Sequence, residues 1–133
     1  MKRILSVFLV VGVIALLTGC NLNGDPGNVG PDVYAGGYSR NSSDVIVPGY
    51  WKNGTWNGLP PLDATKTAWV SSLVVDGTDV YAAGYCINSS DVFVPGFWKN
   101  GTWNGLPPLD ATKDAYVFSL VVDGTDVYAG GGC

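Results

Sequence analysis

Hydrophobic residues follow three different patterns along the chain. Residues 4–17 are an almost unbroken apolar run, residues 21–31 have no hydrophobic period and are mostly Gly, Pro and Asn, and from residue 32 onward short β-branched and aromatic runs alternate with turn-forming pairs. Short apolar runs bounded by Gly, Asn and Asp are typical of β-strands joined by tight turns. The pattern predicts an apolar N-terminal helix, a flexible tether and an all-β region.

The all-β region is a repeat of 47 residues. Residues 32–78 and 79–125 align without a gap and differ at eight positions, mostly by changes that keep size or apolar character, and residues 126–133 begin a third copy. Such close self-similarity at a fixed period predicts that the copies form the same structural unit.

Turn residues divide one repeat into four strands. The predicted strands are Ala68–Val75, Asp79–Tyr85, Asp91–Trp98 and Thr102–Leu106. Asp76-Gly77 and Asn100-Gly101 separate neighbouring strands and favour hairpins, and Asn-Gly fits a type I′ turn because both of its central residues take positive φ. Each repeat is therefore predicted to be a four-stranded antiparallel meander.

Two features complicate this meander. Pro48 and Pro95 fall in the third strand of each unit, where we expect a bulge or kink because proline has no N–H to donate to the ladder. The units are also offset, since residues 32–59 supply only the second to fourth strands of the first unit. Strand Ala115–Val122 is a further first strand, which we expect to close the incomplete unit either within the chain or between chains.

The repeat resembles a known family. The segment Asp-Val-Tyr-Ala-Ala-Gly-Tyr at 79–85, followed by Phe-Trp-Lys-Asn-Gly-Thr-Trp at 97–103, is similar to the kelch-like propeller repeats of bacterial surface proteins. The resemblance implies two tandem blade-like repeats, a partial β-propeller in which each sheet packs both faces on its neighbours. Two blades alone leave apolar faces open, so three alternatives remain: self-assembly, a partner that covers the faces, or a truncated copy of a longer gene.

A second resemblance bears on self-assembly. The Trp-flanked hairpins at 51–56 and 98–103 are similar to those of two-blade fucose-binding lectins of bacteria, which trimerise into a six-bladed ring. This resemblance implies a homo-oligomer as one alternative and a carbohydrate ligand for it.

The N-terminus predicts export. Lys2 and Arg3 precede the apolar run, and its 14 residues are too few for a spanning helix, which needs about 20. The run ends in Leu17-Thr18-Gly19-Cys20, which resembles the lipobox of bacterial lipoproteins. This resemblance implies a helical signal peptide over 1–19 and a lipid-modified Cys20 that anchors the chain in the membrane.

The same resemblance predicts the domain boundaries of the chain and its location in the cell. The mature protein begins with a tether over 20–31, and the repeat domain follows over 32–133. We expect it in the bacterial cell envelope, and in the outer membrane of a Gram-negative cell because Asn21, rather than the Asp that resembles an inner-membrane retention signal, follows Cys20.

Composition excludes several functions. The chain has no His and no Glu, so mechanisms that use a His base and zinc sites that use His ligands are absent. A net charge of −4 opposes nucleic acid as a partner. The carboxylates of Asp76 and Asp79 fall short of the six to eight oxygens that Ca²⁺ takes. We therefore predict no metal site, no cofactor and no catalytic residue.

The candidate ligand residues are four indoles. They are Trp51, Trp56, Trp98 and Trp103, which flank the two Asn-Gly hairpins. They either stack on a glycan or form cross-strand aromatic pairs that hold the hairpins, and we favour the second interpretation. Cys86 and Cys133 occupy equivalent positions of neighbouring units, which lie too far apart for one disulfide, so an intermolecular bond or two free thiols is expected.

Together these features favour a non-enzymatic binding or structural module with a glycan or protein ligand. The alternatives are a carbohydrate-binding lectin assembled as an oligomeric propeller, and a glycan-acting enzyme that relies on Asp, for which Asp110 is the test residue. Asp63 and Asp110 are otherwise expected to cap turns in the connecting loops.

Lipidation gives the first prediction. Cells that express the chain should incorporate labelled palmitate into it, and Cys20→Ser should abolish the labelling because the thioether forms on that sulfur. Fluorography of the purified protein measures the incorporation. Labelling that persists in the Cys20→Ser variant would contradict the predicted anchor.

Overall fold

The computed structural model describes residues 30–133, which form nine β-strands. The strands are β1 (Tyr34–Arg40), β2 (Ile46–Lys52), β3 (Thr55–Gly58), β4 (Ala68–Asp76), β5 (Asp79–Ile87), β6 (Phe93–Lys99), β7 (Thr102–Gly105), β8 (Tyr116–Asp123) and β9 (Asp126–Gly132). The predicted signal peptide, Cys20 and most of the tether lie outside the described residues. Within 30–133 no helix is long and apolar enough to span a bilayer.

The strands form three antiparallel sheets. Sheet 1 has the order β1-β2-β3, sheet 2 the order β4-β5-β6-β7, and sheet 3 consists of β8 and β9. The all-β class, the four-stranded meander of the complete unit and the three strands of the first unit are thereby confirmed. The three sheets do not close into a ring.

The hairpin turns follow from the residues that tolerate positive φ. Asn100 and Gly101 have φ values of 50° and 84°, so the predicted type I′ turn is confirmed, and the first repeat has the same turn. The turn between β4 and β5 has Gly77 at φ 60° as its first central residue, where a type II′ turn requires glycine. Both turn types match the twist of the strands that they connect.

The sheets stack face to face in chain order. Strands β1 and β2 contact β4, and β8 contacts β4, β5 and β6. Two apolar clusters fill the junctions. The first, around sheets 1 and 2, contains Leu59, Ala68, Val70, Ala82, Cys86 and Trp98. The second, between sheets 2 and 3, contains Tyr81, Ala83, Val117, Leu120 and Val122. Sheet 2 is therefore covered on both faces.

The expected bulge at the prolines is wrong. Pro48 pairs with Tyr38, and Pro95 pairs with Tyr85, in an unbroken register. The carbonyl of Pro48 accepts a hydrogen bond from the N–H of Leu59 at 2.8 Å. The backbone nitrogen and the carbonyl of Pro48 therefore both point toward Leu59, the residue that follows the end of β3. Because proline has no N–H, the sheet loses only one hydrogen bond, and that bond would lie beyond the last paired residue of the short strand β3.

The bulges lie instead in the first strand of each unit. The register shifts between Val70 and Ser72 in β4 and between Val117 and Ser119 in β8. At the first of these bulges the carbonyl oxygen of Trp69 approaches the opposite strand so closely that a Cβ on Gly84 would lie 1.8 Å from it. The bulge therefore requires glycine at this position.

Strand β8 does not close sheet 1 within the chain, as one sequence alternative proposed. It pairs with β9 instead, because β9 follows it through a tight Gly124 turn and carries the same residues as the start of β1. Sheet 2 lies between β8 and sheet 1. Among the described residues, the edge of β1 that faces away from β2 has no partner strand.

The bulge geometry predicts a large difference between two equivalent glycines. Gly84→Ala should lower the free energy of unfolding by about 3 kcal/mol or more, because the new methyl group meets a backbone carbonyl that cannot rotate away. Gly37→Ala, at the same position of the first repeat, meets only a side-chain carbon of Trp51 at 3.2 Å and should cost clearly less. Urea unfolding followed by circular dichroism measures both, and equal losses would contradict the assigned bulge.

Candidate functional site

Each Asn-Gly hairpin holds a pair of indoles across its two strands. Trp51 pairs with Trp56 and Trp98 with Trp103 in the strand register, and in both pairs the ring centroids are 4.5 Å apart at an interplanar angle of 57°. This tilted contact is a favourable geometry for two aromatic rings. The indoles therefore form cross-strand pairs that stabilise the hairpins.

Trp98 is not available to a ligand. Its side chain is 0% exposed within the first apolar cluster, and its Nε1 donates a hydrogen bond to the carbonyl oxygen of Pro60 at 2.8 Å. The predicted ligand-stacking role of Trp98 is therefore wrong, because the connection from sheet 1 to sheet 2 covers the ring. Trp51, Trp56 and Trp103 are partly exposed, and for them the stacking role stays a prediction.

A polar cluster ties the start of β5 to the hairpin between β6 and β7. The side chain of Asn100 accepts a hydrogen bond from the N–H of Val80 at 2.9 Å and donates one to Asp79 at 2.8 Å. Lys99 Nζ lies 3.3 Å from Asp79 Oδ2 and 5.1 Å from the centre of the Tyr81 ring. We call Asp79, Tyr81, Lys99 and Asn100 the hairpin cap.

The first repeat builds the same hairpin cap from its own residues. Asn53 bonds to the N–H of Val33 at 2.8 Å and to Asp32 at 2.7 Å, while Lys52 lies 2.9 Å from Asp32. Our sequence interpretation missed this cluster. The available signal is the recurring Asp-Val-Tyr with Lys-Asn-Gly about twenty residues later, which the sequence analysis uses only for the Asn-Gly turn and the kelch-like resemblance.

The charged side chains of the hairpin caps form ion pairs with each other. Hydrogen bonds from Asn100 and Lys99 lower the pKa of Asp79, and bonds from Lys52 and Asn53 lower the pKa of Asp32. The bonds to Asp32 and Tyr34 raise the pKa of Lys52. All these groups are at the surface, where an ion pair contributes little free energy. Their role is to fix the strand end against the turn.

Asp63 and Asp110 cap turns, as predicted. The carboxylate of Asp110 accepts bonds from the N–H and the hydroxyl of Thr112 at 2.9 and 2.7 Å, and Asp63 makes the same pair of bonds to Thr65. These bonds lower the pKa of both carboxyls. A carboxyl that donates a proton in catalysis needs the opposite shift, as in glycosidases.

The two cysteines of the repeat domain are free thiols. Cys86 is completely buried, and burial raises its pKa to about 11, so little thiolate forms at neutral pH. Cys133 is exposed. Cys86 is therefore a packing residue in the first apolar cluster, and an intermolecular bond through it would require the sheets to separate.

No metal centre forms in the part of the chain that the structure describes. Residues 30–133 bring no three His, Cys, Asp or Glu side chains together in an arrangement that holds a metal ion. The backbones of Asp76 and Asp79 instead lie opposite each other at the hairpin that joins β4 and β5. Comparison with protein-family models, curated proteins and solved structures found no match to this chain.

The hairpin cap predicts how stability depends on pH. Because folding lowers the pKa of Asp79, the cap stabilises the native state above the ordinary pKa of 3.8, and this contribution is lost as the pH falls through the folded value. The urea midpoint of the wild type should therefore fall below about pH 4, and Asp79→Asn should reduce that fall.

Asp126→Asn is the matched control. Asp126 opens the third copy, and among residues 30–133 no Lys-Asn-Gly hairpin lies after it to form a cap, so this variant should keep the cap-dependent acid response of the wild type. An Asp79→Asn variant with an unchanged acid response would show that the cap ion pair does not act in solution.

Proposed function

We propose that this chain is a lipid-anchored protein of the bacterial cell envelope whose repeats form part of a β-propeller and act as a non-enzymatic binding or structural module. The observation that carries the proposal is the stacking of three sheets in chain order, with an apolar cluster on each face of the middle sheet. A blade of a propeller needs this double coverage, whereas a sheet of a soluble antiparallel protein commonly leaves one face in water.

The two junctions of the stack support the propeller interpretation because they repeat. Tyr38 of sheet 1 contacts Trp69 of sheet 2 with the ring centroids 4.1 Å apart, and the equivalent Tyr85 and Tyr116 lie 5.4 Å apart at the next junction. Residues 47 positions apart thus meet equivalent partners. A constant step between neighbouring units is the basis of propeller and solenoid architectures.

The anchor part of the proposal depends on Cys20 and its lipobox. Lipid on Cys20 would hold the repeat domain close to a membrane through a tether of about a dozen residues, which spans at most roughly 40 Å. The acidic chain, with a net charge of −4, would be repelled by an anionic bilayer surface, so the lipid rather than surface charge supplies the attachment. Nucleic acid is opposed as a partner by the same charge.

Several features support a module without catalysis. The four Asp carboxyls with shifted pKa are all lowered by hydrogen bonds, and the Cys86 thiol is buried with a raised pKa. None of these five groups has the pKa shift of a general acid or an activated nucleophile. The alternative of a glycan-acting enzyme based on Asp110 therefore lacks the raised carboxyl pKa that its general acid would need.

One observation favours a lectin as the second candidate function. Trp103 is only half-buried and lies in a hairpin beside Asn104, whose amide donates its own hydrogen bond to the carbonyl of Thr102. A partly open indole offers a ring face on which a sugar ring can stack, whereas Asn104, the next residue of the same strand, points to the opposite face of the sheet. The same indole pairs with Trp98, so its role in the hairpin is the primary one.

The proposal predicts the outcome of one combined assay. The purified wild type and Asp110→Asn should both leave a panel of oligosaccharides uncleaved, as mass spectrometry of the mixtures would show. Product that the wild type forms and Asp110→Asn does not would overturn the non-enzymatic proposal. On a glycan array, binding that Trp103→Ala abolishes while its unfolding midpoint is retained would assign the binding module to the lectin class.

A further inference from the structure

The strongest candidate for a partner surface is the open edge of β1. Strand β1 pairs with β2 on one side only, and no other strand among the described residues lies along its second edge. An unpaired strand edge presents a row of backbone donors and acceptors that pairs readily with another strand. The equivalent edge in sheet 2 is occupied, because β5 pairs with both β4 and β6.

The chain itself carries the strand that fits this edge. Residues 32–37 and 126–131 have the identical sequence Asp-Val-Tyr-Ala-Gly-Gly, so the paired parts of β1 and β9 are chemically the same strand. Strand β8 pairs with β9 in the register Val122 to Val127 and Val117 to Gly131, which is the register of β4 with β5. In β1 the corresponding residues are Val33 and Gly37.

We propose that β1 of a second copy of this chain replaces β9 at the edge of β8. The exchange would convert the two-stranded sheet 3 into a four-stranded sheet with the order β8 of one copy, then β1, β2 and β3 of the other. This sheet is equivalent to sheet 2, strand for strand. The inference rests on the structural-module part of the proposed function and names its partner.

The bulge supplies a steric argument for this pairing. The carbonyl oxygen of Tyr116 at the β8 bulge lies where it would be 1.8 Å from a Cβ on Gly131, so only glycine can lie opposite it. Gly37 is the β1 residue that would take this place. It meets the requirement, although its present surroundings contain no backbone group within 4 Å that demands a glycine.

The aromatic residues supply a second argument. In its own hairpin Tyr116 lies opposite Gly132, which offers no side chain. In the exchanged sheet Tyr116 would lie opposite Tyr38 of the second copy, as Trp69 lies opposite Tyr85 in sheet 2. Opposite residues of paired strands point to the same face of a sheet, so Tyr38 would place an apolar side chain beside Tyr116 where β9 has only Gly132.

Charge complementarity supplies a third argument. At the junction of sheets 1 and 2, Lys66 lies 2.6 Å from Asp91. Their counterparts at the proposed junction are Lys113 of one copy and Asp44 of the second copy, one repeat length removed in each case. Lys113 has no carboxylate within salt-bridge distance in residues 30–133, and the side chain of Asp44, which pairs with Arg40 at 3.1 Å, is still 84% exposed and open to a second cation.

The buried Trp98 has a partly exposed equivalent in the first repeat, Trp51. Trp98 bonds to the Pro60 carbonyl of the segment that precedes its sheet. In the exchanged arrangement the partly exposed Trp51 of the second copy would face the carbonyl of Pro107 in the same way. Each association uses opposite ends of the two copies, so it is heterologous and leaves a free end for a further copy.

Disulfide trapping in full-length chains that also carry Cys133→Ser tests the exchange. One preparation carries Val33→Cys and another carries Val122→Cys, and the two are mixed and oxidised. The proposed register places these positions opposite each other, so we expect a covalent dimer whose digest contains a 33–122 disulfide. A monomer at every protein concentration, or dimers linked only at other positions, would overturn the proposal.

A chain with both Val122→Cys and Val127→Cys is the matched control. These residues lie opposite each other in the present β8 and β9 pair, so oxidation should lock β9 in place. The locked chain should give the light-scattering mass of a monomer, and the reduced chain should give multimers at the same protein concentration. Association that is unchanged by the lock would contradict exchange at β8.

Gly37→Ala provides a separate measurement. If it folds with its urea midpoint nearly unchanged, it should still lose the 33–122 disulfide, because its methyl group would meet the Tyr116 carbonyl of the first copy. Trapping that survives Gly37→Ala would contradict the proposed register. None of these results depends on enzymatic or glycan-binding activity, so failure here is distinct from failure of the functional proposal.

Discussion

The coverage of both faces of one thin sheet is the constraint on which the rest of this structure depends. Sheet 2 has no core of its own. Val70 and Trp98 become buried only because sheet 1 and its connection lie against them, and Tyr81 becomes buried only because β8 lies on the other side. Burial of such a side chain contributes about 1.5–3 kcal/mol. The sheets are therefore stable as a stack, and the two ends of the stack remain incomplete.

Backbone geometry decides which strands can join that stack. The bulge in the first strand of each unit brings a carbonyl against the neighbouring strand, and Gly84 and Gly131 are the residues that admit it. The hairpin caps add a second restraint by fixing the strand start to a turn about twenty residues later. Since a shift of one residue would exchange the two faces of a strand, these local features protect the register on which burial depends.

Position in the stack gives identical residues different roles. Tyr81 is 3% exposed and Tyr128 is 58% exposed, although both occupy the third position of their copies. Trp98 is sealed while Trp51 is partly open. Residues that are buried in the middle unit are consequently exposed at the ends of the stack. The side chains of the middle unit mostly pack against its two neighbours. The proposed roles in assembly and binding use residues that remain exposed.

The sequence by itself determined the local structure of the repeat. The Asn-Gly turns, the strand segments, the meander and the turn-capping role of Asp63 and Asp110 depend on interactions within a few residues or between adjacent strands, which a 47-residue pattern records fully. The tertiary structure decided what depends on distant neighbours: the burial of Trp98, the regular pairing at Pro48, the hairpin cap and the choice of β9 as the partner of β8. The two copies differ at eight positions, so the different roles of their identical residues follow from their places in the stack.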